Sequence, residues 1–433
     1  MGLRPRCNRL FGLLAVLCAL SGLLATSLCA GELPDLAPEE LAVIHLDIGQ
    51  GTATLVVGPQ KADGTRTLVL IDAGATKQFG GVDGGKVVLE ALQDCGRCYG
   101  TQGLDYFVAT HYHEDHVGGA VATNKDSRGF LLGPNGVPGG DGDDDGDGKA
   151  NWLKASKTKY QPDLDELGVG DDVCVEHFVD IGKGPGGWCK PYEAFVDQLT
   201  SGISPGTAKR ESIGRSTPLD EGNISLGAHG AQKAMMLCVA AGGRVRTTNG
   251  GARTPSGVNK QEANNTSIGY LLNYEGFDYL VLGDAENALE MAAAAYLAFG
   301  TGDALVDVLN VSHHESKKSS KPVFLTTINP TLAVISVGDK ASKKLKGYKL
   351  PKYATLKNLD DAHVTAVYET GAGYTKDIPS GKKLPAIVKP ACGRVVVTTN
   401  GEQYRVWLWD AADGQLEAKG PYEVDGPCPA LAE

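Results

Sequence analysis

A His-x-His-x-Asp-His string at positions 111–116 follows a mostly apolar run and restricts the fold of this chain more than any other feature. Imidazole nitrogens and carboxylate oxygens are the ligands that Zn²⁺ and similar divalent ions prefer. Side chains two residues apart in an extended segment point the same way, so His111 and His113 can hold one ion while Asp115 and His116 turn toward a second. Only nine histidines occur among the 433 residues, so chance explains the string poorly.

The first 30 residues have the composition of a secretory leader. Three arginines precede the apolar run 10–25, and small residues lead up to Ala30. We expect a signal peptide over residues 1–30, and hence a secreted or periplasmic protein with no membrane span after cleavage. An uncleaved anchor is the alternative, although the apolar run is short for a full span. A lipid anchor at Cys29 is disfavoured because Leu28 precedes it.

The balance of charge excludes one class of partner. The sequence holds 41 basic and 52 acidic side chains, a formal net charge of −11. A strongly acidic protein does not bind duplex nucleic acid tightly through its general field. The segment from Lys317 to Lys357 is locally different, because it contains ten lysines and a single acid, Asp339.

Seven cysteines follow the leader, and a secreted location permits disulfides among them. Cys174 with Cys189 and Cys392 with Cys428 are plausible pairs. The Cys-Gly-Arg-Cys motif at 95–98 is compatible with a local disulfide, a redox pair or half of a metal site. The connectivity stays open.

Hydrophobic patterning predicts two sets of strands, each followed by helices. Strands are predicted at 42–48, 52–58, 66–72, 104–109, 235–241, 267–274, 278–283, 305–311, 332–337, 364–369, 394–399 and 403–409. Helices are predicted at 85–94, 286–298 and near 353–360. This alternation favours the α/β class, with two sheets packed face to face and helices outside, a four-layer αββα sandwich.

Between residues 124 and 230 the pattern weakens, and glycine, aspartate, lysine, proline and serine dominate. We interpret 124–230 as a long irregular Gly/Asp-rich insertion on one domain formed by residues 31–123 and 231–433.

The insertion contains an acidic run with the spacing of a Ca²⁺-binding loop, formed by Asp143, Asp145, Asp147 and Asn151. The twelfth position is Lys154 instead of the usual glutamate. A flexible acidic linker is therefore the alternative to a calcium site.

Acidic and imidazole side chains recur where the predicted strands begin or end. Besides the string, Asp72 ends one strand, Asn264-Asn265 opens another, Asp284 ends a third and His313-His314 ends a fourth. Sites are commonly built in crevices at strand ends, so these side chains would line one rim of the sandwich.

The order of these pieces resembles the metallo-β-lactamase superfamily, and within it the extracellular hydrolase domain of ComEC-type competence proteins. The resemblance covers residues 42–123 and 235–410 and is carried by residues 46–53 (Leu-Asp-Ile-Gly-Gln-Gly-Thr-Ala), 72–74, 110–119, 264–267, 282–285 and 311–314. It implies the αββα metallo-β-lactamase fold and a metal-dependent hydrolase. ComEC-type importers also carry many membrane spans, which this sequence does not show, so we expect no transport role.

The resemblance implies a dinuclear ligand set made of His111, His113, Asp115, His116, Asp284 and His314. His111 and His113 would hold one ion, Asp115, His116 and His314 the other, and Asp284 would bridge them. The expected cofactor is Zn²⁺, as two ions or one, with Mn²⁺ or Fe as alternatives.

Further residues would support this set. Asp72 would orient a ligand histidine by a hydrogen bond, Asn265 would lie nearby, and His313 is the alternative to His314. The superfamily usually adds another histidine to the first ion, for which only His177 and His229 remain. It also usually has glycine after the double histidine, where this chain has Glu315.

The implied reaction is hydrolysis by a zinc-bound hydroxide, because metal binding lowers the pKa of water from roughly 15.7 to near neutral. Asp115 and His116 would be catalytic, with Asp115 orienting the water. Lys317 and Lys318 would favour an anionic substrate such as a phosphodiester, unless they are only a solvated surface. The alternatives are a lactam, lactone or ester hydrolase, or a non-catalytic binding module of the same fold. The oligomeric state stays open.

Overall fold

The computed structural model describes residues 33–121, 129–132, 152–153, 161–162, 172–184, 189–200, 208–301, 305–338, 349–374, 378–410 and 415–424. The expected signal peptide, the candidate calcium loop at 143–151 and Cys428 lie outside these ranges.

The strands of the described chain are β1 (Leu41–His45), β2 (Thr54–Val57), β3 (Leu68–Ile71), β4 (Leu104–Val108), β5 (Trp152–Leu153), β6 (Gln161–Pro162), β7 (Val175–Asp180), β8 (Lys209–Ser212), β9 (Ile224–His229), β10 (Gln232–Ala241), β11 (Arg244–Arg246), β12 (Ala252–Arg253), β13 (Gly269–Tyr274), β14 (Phe277–Val281), β15 (Val308–Asn310), β16 (Leu332–Ile335), β17 (Ala366–Glu369), β18 (Val388–Lys389), β19 (Val395–Thr399), β20 (Gln403–Asp410) and β21 (Gln415–Glu423).

The described α-helices are α1 (Lys77–Gly80), α2 (Gly84–Tyr99), α3 (Glu114–Val117), α4 (Cys189–Thr200), α5 (Asn287–Tyr296), α6 (Pro322–Ile328) and α7 (Tyr353–Asp361). Short 3₁₀ segments cover Phe130–Leu132, Leu219–Gly222, Asn264–Thr266 and Ser312–Glu315, and a π-helical turn covers Leu297–Thr301.

The strands form two large mixed sheets. The first has the order β21-β20-β19-β1-β2-β3-β4-β7-β8, and the second has the order β12-β11-β10-β13-β14-β15-β16-β17-β18, with β9 also paired to β10. Strands β3, β4, β7 and β8 run parallel in the first sheet, and β14 to β18 run parallel in the second. Because parallel strands end at the same edge, each sheet has one edge where several carboxyl ends and their loops collect.

The side chains of the second sheet alternate between two cores. On β10, Met236 and Cys238 belong to the core shared with the first sheet, whereas Leu237 and Val239 belong to the core that includes residues of α5, α6 and α7. Helices α2 and α4 pack on the first sheet through side chains such as Val88 and Tyr192. The four-layer αββα sandwich predicted from the sequence is confirmed, and its inner strands are apolar because both faces are covered.

Regular structure within 124–230 corrects the expectation of an irregular insertion. Strand β7, helix α4, strand β8 and strand β9 all lie in this segment, and β7 and β8 extend the first sheet beyond β4. Strand β8 has the sequence Lys-Arg-Glu-Ser at a sheet edge, so it has no apolar alternation from which it could have been predicted.

The cysteine pairs expected from the sequence are not found in the described part of the chain, where no disulfide is present. Cys95 and Cys98 lie three residues apart on α2, a spacing at which helical Cβ atoms are too far apart for a strain-free disulfide. Burial raises the pKa of the Cys95 thiol to about 12. The Cys392 thiol is not in a disulfide and donates to the Lys389 carbonyl at 3.0 Å.

None of the helices within the described ranges has the length and apolar character needed to cross a bilayer.

Candidate metal centre

The candidate ligands meet at the carboxyl ends of parallel strands from both sheets. Asp72 and the string 111–116 follow β3 and β4 in the first sheet, and Asp284 and residues 313–314 follow β14 and β15 in the second. The Ile268 amide donates to the Thr110 carbonyl at 2.9 Å and joins the two sheets at this edge. The strand ends therefore form one rim with a single buried cluster of polar side chains.

Asp284 lies at the middle of this cluster. Its Oδ1 atom is 3.1 Å from His116 Nε2 and 3.7 Å from His314 Nε2. Its Oδ2 atom is 3.8 Å from His111 Nε2 and 3.7 Å from His313 Nε2. The carboxylate therefore turns one oxygen toward each of two groups of histidines, which is what a ligand shared by two ions must do.

Two groups of side chains are compact enough to hold one ion each. The candidate ligand atoms of His111, His113 and Asp284 lie within 4.8 Å of one another, and so do those of Asp115, His116 and His314. His111 Nε2 is 3.1 Å from His113 Nδ1, and Asp115 Oδ2 is 3.4 Å from His314 Nε2. The structure brings together every ligand named from the sequence, and their role in binding metal remains a proposal.

Asp72 orients two histidines of the string, His116 directly and His111 through Thr110. Its Oδ2 atom is 2.7 Å from His116 Nδ1 and accepts the Thr110 hydroxyl at 2.8 Å, while its Oδ1 atom accepts the Thr110 amide at 2.8 Å. Because the Thr110 hydroxyl proton points to Asp72, the His111 Nδ1 atom at 3.1 Å must be the donor to the Thr110 oxygen. Both rings thereby keep Nε2 available for an ion, the arrangement typical of metal-ligating histidines.

His314 obtains the same ring orientation from the other sheet. Its Nδ1 atom is 2.8 Å from the Ser336 carbonyl, which can only accept, so Nδ1 carries a proton and Nε2 faces Asp115 and Asp284. Ser336 follows β16 immediately. A backbone carbonyl therefore does for His314 what the Asp72 carboxylate does for His116.

His313 and His314 both face the centre, whereas the sequence expectation treated them as alternatives. Their backbones are left-handed, with φ values of 53° and 49°, and Glu315 follows at 61°. Non-glycine residues adopt this region rarely and at a cost of about 1–3 kcal/mol each. The tight turn directs His314 to the group of Asp115 and His116, and directs His313 to the Asp284 oxygen on the side of His111.

His313 therefore occupies the side of the centre where the expected extra histidine was missing. The two histidines considered from the sequence lie elsewhere. His177 Nδ1 is 2.7 Å from Glu211 Oε1, and its ring stacks on Tyr106. His229 Nδ1 is 3.2 Å from the Gln60 carbonyl.

Opposite charges dominate the electrostatics of the centre. Burial alone would raise the pKa values of Asp115 and Asp284, but neighbouring histidines, chiefly His314 for Asp115 and His116 for Asp284, lower both well below the usual range. Burial would lower the pKa of His116, but the charges of Asp284 and Asp72 raise it well above the usual range. Burial and the charge of His116 lower the pKa of His111, so this ring is neutral and ready to act as a ligand.

The polar atoms at the centre fit a cation. His116 Nε2, His314 Nε2 and Asp284 Oδ1 are buried, and apart from contacts among the candidate ligands themselves they have no partner among the described residues. Buried polar atoms without partners are costly in a native protein and require an explanation. Imidazole nitrogens and carboxylate oxygens converging in this way are a donor set suited to Zn²⁺ and similar ions.

Asn265 does not lie against a candidate ligand as expected, and Asn264 does. The amide nitrogen of Asn264 lies 3.3 Å from His313 Nε2, whereas that of Asn265 donates to Glu286 Oε2 at 3.4 Å. Residues Asn264–Thr266 form a 3₁₀ segment. Successive side chains in such a segment point about 120° apart, so only one of the two asparagines can face the centre.

The lysines expected to bind substrate do not form a free cationic rim. Lys318 Nζ lies 2.8 Å from Glu286 Oε1 and 3.8 Å from Glu262 Oε2, so its charge is already paired. Lys317 is exposed, and its carbonyl accepts the Lys321 ammonium at 2.7 Å. The middle of the lysine-rich segment, residues 339–348, lies outside the described ranges.

Comparisons with known proteins give fold-level likeness only. No family model matches the sequence, and no curated protein matches it. One solved structure, described as a metal-dependent hydrolase of the beta-lactamase superfamily, is 11% identical over 77% of this chain and 97% of its own, with a TM-score of 0.34. Another, from Parabacteroides distasonis and provisionally described as a metal-dependent hydrolase, is 11% identical over 73% of this chain and 93% of its own, with a TM-score of 0.29. At such identities no site residue is transferred, and the chemistry is argued from the side chains above.

Proposed function

We propose that this chain is a metal-dependent hydrolase that uses two ions. The observation that carries the proposal is the position of Asp284, whose two carboxylate oxygens face two separate groups of ligand atoms. A single structural ion needs no such shared carboxylate. Six further side chains that converge from two sheets make the same arrangement improbable as a simple packing cluster.

The ligand sets follow from the geometry. His111, His113 and His313 would hold one ion, and Asp115, His116 and His314 the other, with Asp284 common to both. Zn²⁺ suits these donors best, with Mn²⁺ or Fe as alternatives. Bound ions of this type supply Lewis acidity and lower the pKa of water to near neutral.

The protein's own groups have distinct tasks in this proposal. Asp72 and the Ser336 carbonyl hold the imidazole protons on Nδ1, so that each Nε2 faces inward. Asp115 is partly exposed, unlike fully buried His116, so its carboxylate is placed to orient a water molecule at the mouth of the centre. In this proposal Asp115 therefore positions the attacking water, and His116 acts by holding the second ion.

A phosphodiester is the first substrate to test. Centres with two ions a few ångströms apart stabilise both the attacking and the leaving oxygen of an in-line displacement, which is the demand of phosphoryl transfer. The pairing of Lys318 with Glu286 and Glu262 supports a second candidate, a neutral lactam or ester, because it neutralises one of the two lysines that were expected to attract an anion.

The experiment is a metal measurement followed by a substrate panel. We expect two equivalents of transition metal per chain by elemental analysis. We then expect cleavage of bis-p-nitrophenyl phosphate or single-stranded DNA in preference to the lactam nitrocefin. Cleavage of nitrocefin alone would favour the second candidate. A protein that binds no transition metal, or binds it without hydrolysing any member of the panel, would point to a non-catalytic module. Detection of the mature amino terminus would test the proposed secretion.

A further inference from the structure

The peptide unit whose carbonyl accepts the His314 Nδ1 proton is held at its other end as well. His314 Nδ1 lies 2.8 Å from the Ser336 carbonyl oxygen, and the amide of the next residue, Val337, donates to the Thr370 hydroxyl oxygen at 3.1 Å. The Thr370 hydroxyl in turn donates to the Val337 carbonyl at 3.2 Å. All four residues are at most 2% exposed, so bulk water has little access to these hydrogen bonds.

The planarity of the peptide group couples its two ends. The peptide bond between Ser336 and Val337 is trans, and the carbonyl and N–H of a trans peptide lie in one plane and point in opposite directions. Thr370 fixes the direction of the Val337 N–H and thereby the direction of the Ser336 carbonyl, which faces His314. A rotation of this peptide plane would break the hydrogen bonds at both ends together.

Thr370 acts at the point where the backbone pairing of two strands stops. Strands β16 and β17 are parallel with Ile335 opposite Glu369, and the Thr370 amide donates to the Ile335 carbonyl at 3.0 Å. Two residues later, the Val337 amide bonds to a side chain instead of the backbone of β17. Because buried backbone groups need partners, the Thr370 hydroxyl takes over from the ladder and serves both polar groups of Val337.

The segment that follows β16 is also packed against the loop 46–53 of the first sheet. A Cβ atom on Gly338 would lie 2.6 Å from the Gln50 amide nitrogen and 2.7 Å from the Gly49 carbonyl carbon, closer than such atoms approach without movement. One end of the segment is therefore placed by β16 and the other by this contact. Between them, the Thr370 hydroxyl determines the orientation of the 336–337 peptide.

We propose that Thr370 is a positioning residue for His314 and strengthens binding of the ion that His314 would hold. The hydrogen bonds run in one direction, from His314 to the Ser336 carbonyl and from the Val337 amide to Thr370, and hydrogen bonds in such a chain polarise one another. A better acceptor for the Nδ1 proton makes the imidazole a better ligand at Nε2. The effect on affinity rests on the two-ion function proposed above, whereas the orientation of the ring does not.

The first test compares the affinity for Zn²⁺ of Thr370→Val, Thr370→Ser and the unsubstituted chain. Valine keeps the shape of threonine and removes the hydroxyl, so we expect one of the two binding steps to weaken about tenfold while the other stays unchanged. Serine restores the hydroxyl and should recover the affinity. Competition with a chromophoric chelator measures both steps. Thr370→Ala compared with Thr370→Ser isolates the same hydroxyl if valine prevents folding.

Thr399→Val is the matched control. The buried Thr399 hydroxyl likewise accepts a backbone amide, that of Gly401 at 2.9 Å, and donates to a backbone carbonyl, that of Gln403 at 2.8 Å. Its loss should lower the midpoint of thermal unfolding to a similar extent but leave both Zn²⁺ steps unchanged. Equal Zn²⁺ affinities in Thr370→Val and the unsubstituted chain, or an equal loss of affinity in Thr399→Val, would overturn the proposal.

A measurement on metal-free protein separates the positioning of His314 from the proposed function. In protein labelled with ¹⁵N-histidine, the Nδ1 proton of His314 should give a downfield resonance, identified by its absence from His314→Ala. This resonance should persist in Thr399→Val and should move upfield or disappear in Thr370→Val. If the chain binds no transition metal, the two-ion function fails and this spectrum alone decides the positioning. A resonance that is absent from the unsubstituted chain, or unchanged in Thr370→Val, would overturn it.

Discussion

Two loops supply the histidines of the candidate metal centre, and they are held in place by different means. The loop at 110–117 follows β4 of the first sheet, and two of its histidines, His111 and His116, are fixed by side-chain hydrogen bonds that converge on Asp72. The loop at 312–316 follows β15 of the second sheet, and its histidines are fixed by a backbone that is left-handed at three successive residues. Only His314 in this second loop has its Nδ1 bonded to a protein acceptor, the Ser336 carbonyl.

The difference shows two routes to the same geometry. A buried carboxylate that accepts three hydrogen bonds orients rings without straining the chain, and it also tunes their charge. A strained turn brings two adjacent side chains to one centre, which an extended strand cannot do because its neighbours point to opposite faces. Metal binding by the first loop should therefore be sensitive to loss of a hydrogen bond. The conformation of the second loop should be sensitive to changes in backbone strain or packing.

The largest effect on metal binding is expected from Asp284, the carboxylate that histidines of both loops contact. Asp284→Asn removes the only carboxylate of the His111 group and one of the two carboxylates that face the His116 group. We therefore expect loss of both transition-metal equivalents and a fall in hydrolysis of several orders of magnitude. Elemental analysis and turnover on the active substrate measure this. Glu286→Gln, a neighbouring acid paired to Lys318, is the matched control and should retain both ions. Unchanged metal content in Asp284→Asn would exclude the shared-ligand geometry.

The first loop alone is tested by Asp72→Asn. An amide can keep one hydrogen bond, but it cannot accept from His116 and Thr110 as the carboxylate does, so we expect transition-metal affinity to fall about 10–100-fold. Competition with a chromophoric chelator measures it. Asp94→Asn changes another buried acid, one paired with Arg394 and Arg97 and with no candidate ligand, and should leave the affinity unchanged. An affinity equal in both variants would mean that Asp72 does not orient the ligands.

The second loop is tested by comparing His313→Ala with His314→Ala. If each histidine serves one ion, each variant should bind about one transition-metal equivalent fewer or bind it at least tenfold more weakly. Metal titration followed by calorimetry separates the two steps. If His313→Ala retains both steps unchanged while His314→Ala does not, then His313 only packs beside the centre.

His45 is a buried histidine whose pKa is shifted by burial alone, so it is a reference for the histidines of both loops, which have carboxylate neighbours. Burial lowers the pKa of His45 from 6.5 to about 3. The unfolded chain therefore takes up this proton first, so stability is complete above pH 6.5 and is lost as the pH falls toward 3. We expect the metal-free protein to lose up to about 1.4 kcal/mol per pH unit through this group.

Replacement of His45 isolates that contribution. His45→Phe should flatten the dependence of the unfolding free energy on pH between 6.5 and 4.5, as measured by urea denaturation at several pH values. An identical slope in the variant would show that His45 does not titrate on unfolding.

The smallest effect is expected from relief of backbone strain in the second loop. Glu315→Gly should stabilise the protein by about 1 kcal/mol, because glycine adopts a φ of 61° freely. His363→Gly is the matched control, since His363 has a φ of 62° but is exposed. A clear loss of stability in Glu315→Gly with no loss in His363→Gly would show that the buried Glu315 side chain makes contacts that outweigh the strain of its backbone.

The sequence was sufficient to predict those site residues whose position follows from the hydrophobic pattern of the strands. Apolar strands ending in Asp72, Asp284 and the 111–116 string placed those groups on one rim, and the structure brings them together. Periodicity could not predict that His313 joins His314, because this depends on successive left-handed residues. It could not separate Asn264 from Asn265, because the direction of each depends on a 3₁₀ segment. The pairing of Lys318 with Glu286 joins positions 32 residues apart and has no local signal.

The fold was likewise predictable where the strands have a clear apolar pattern, and it was not predictable where they lack one. Buried strands such as β3 and β16 have unbroken apolar sequences, whereas the polar edge strand β8 gave no pattern. Thr110 was overlooked as a link between Asp72 and His111, although its place directly before the string was a usable signal. The Ser336 contact uses only a backbone carbonyl, so residue type could not reveal it.

The hydrogen bond from the Ile268 amide to the Thr110 carbonyl has a consequence for assembly during synthesis. It closes a loop of more than 150 residues, and the histidines that it brings together come from two segments, 111–116 and 313–314, that are far apart in the sequence. On the proposed ligand sets, neither segment alone could hold both ions, so tight binding would await emergence of residues 313–314 from the ribosome. Metal retention in progressively truncated forms would therefore report when long-range topology is completed.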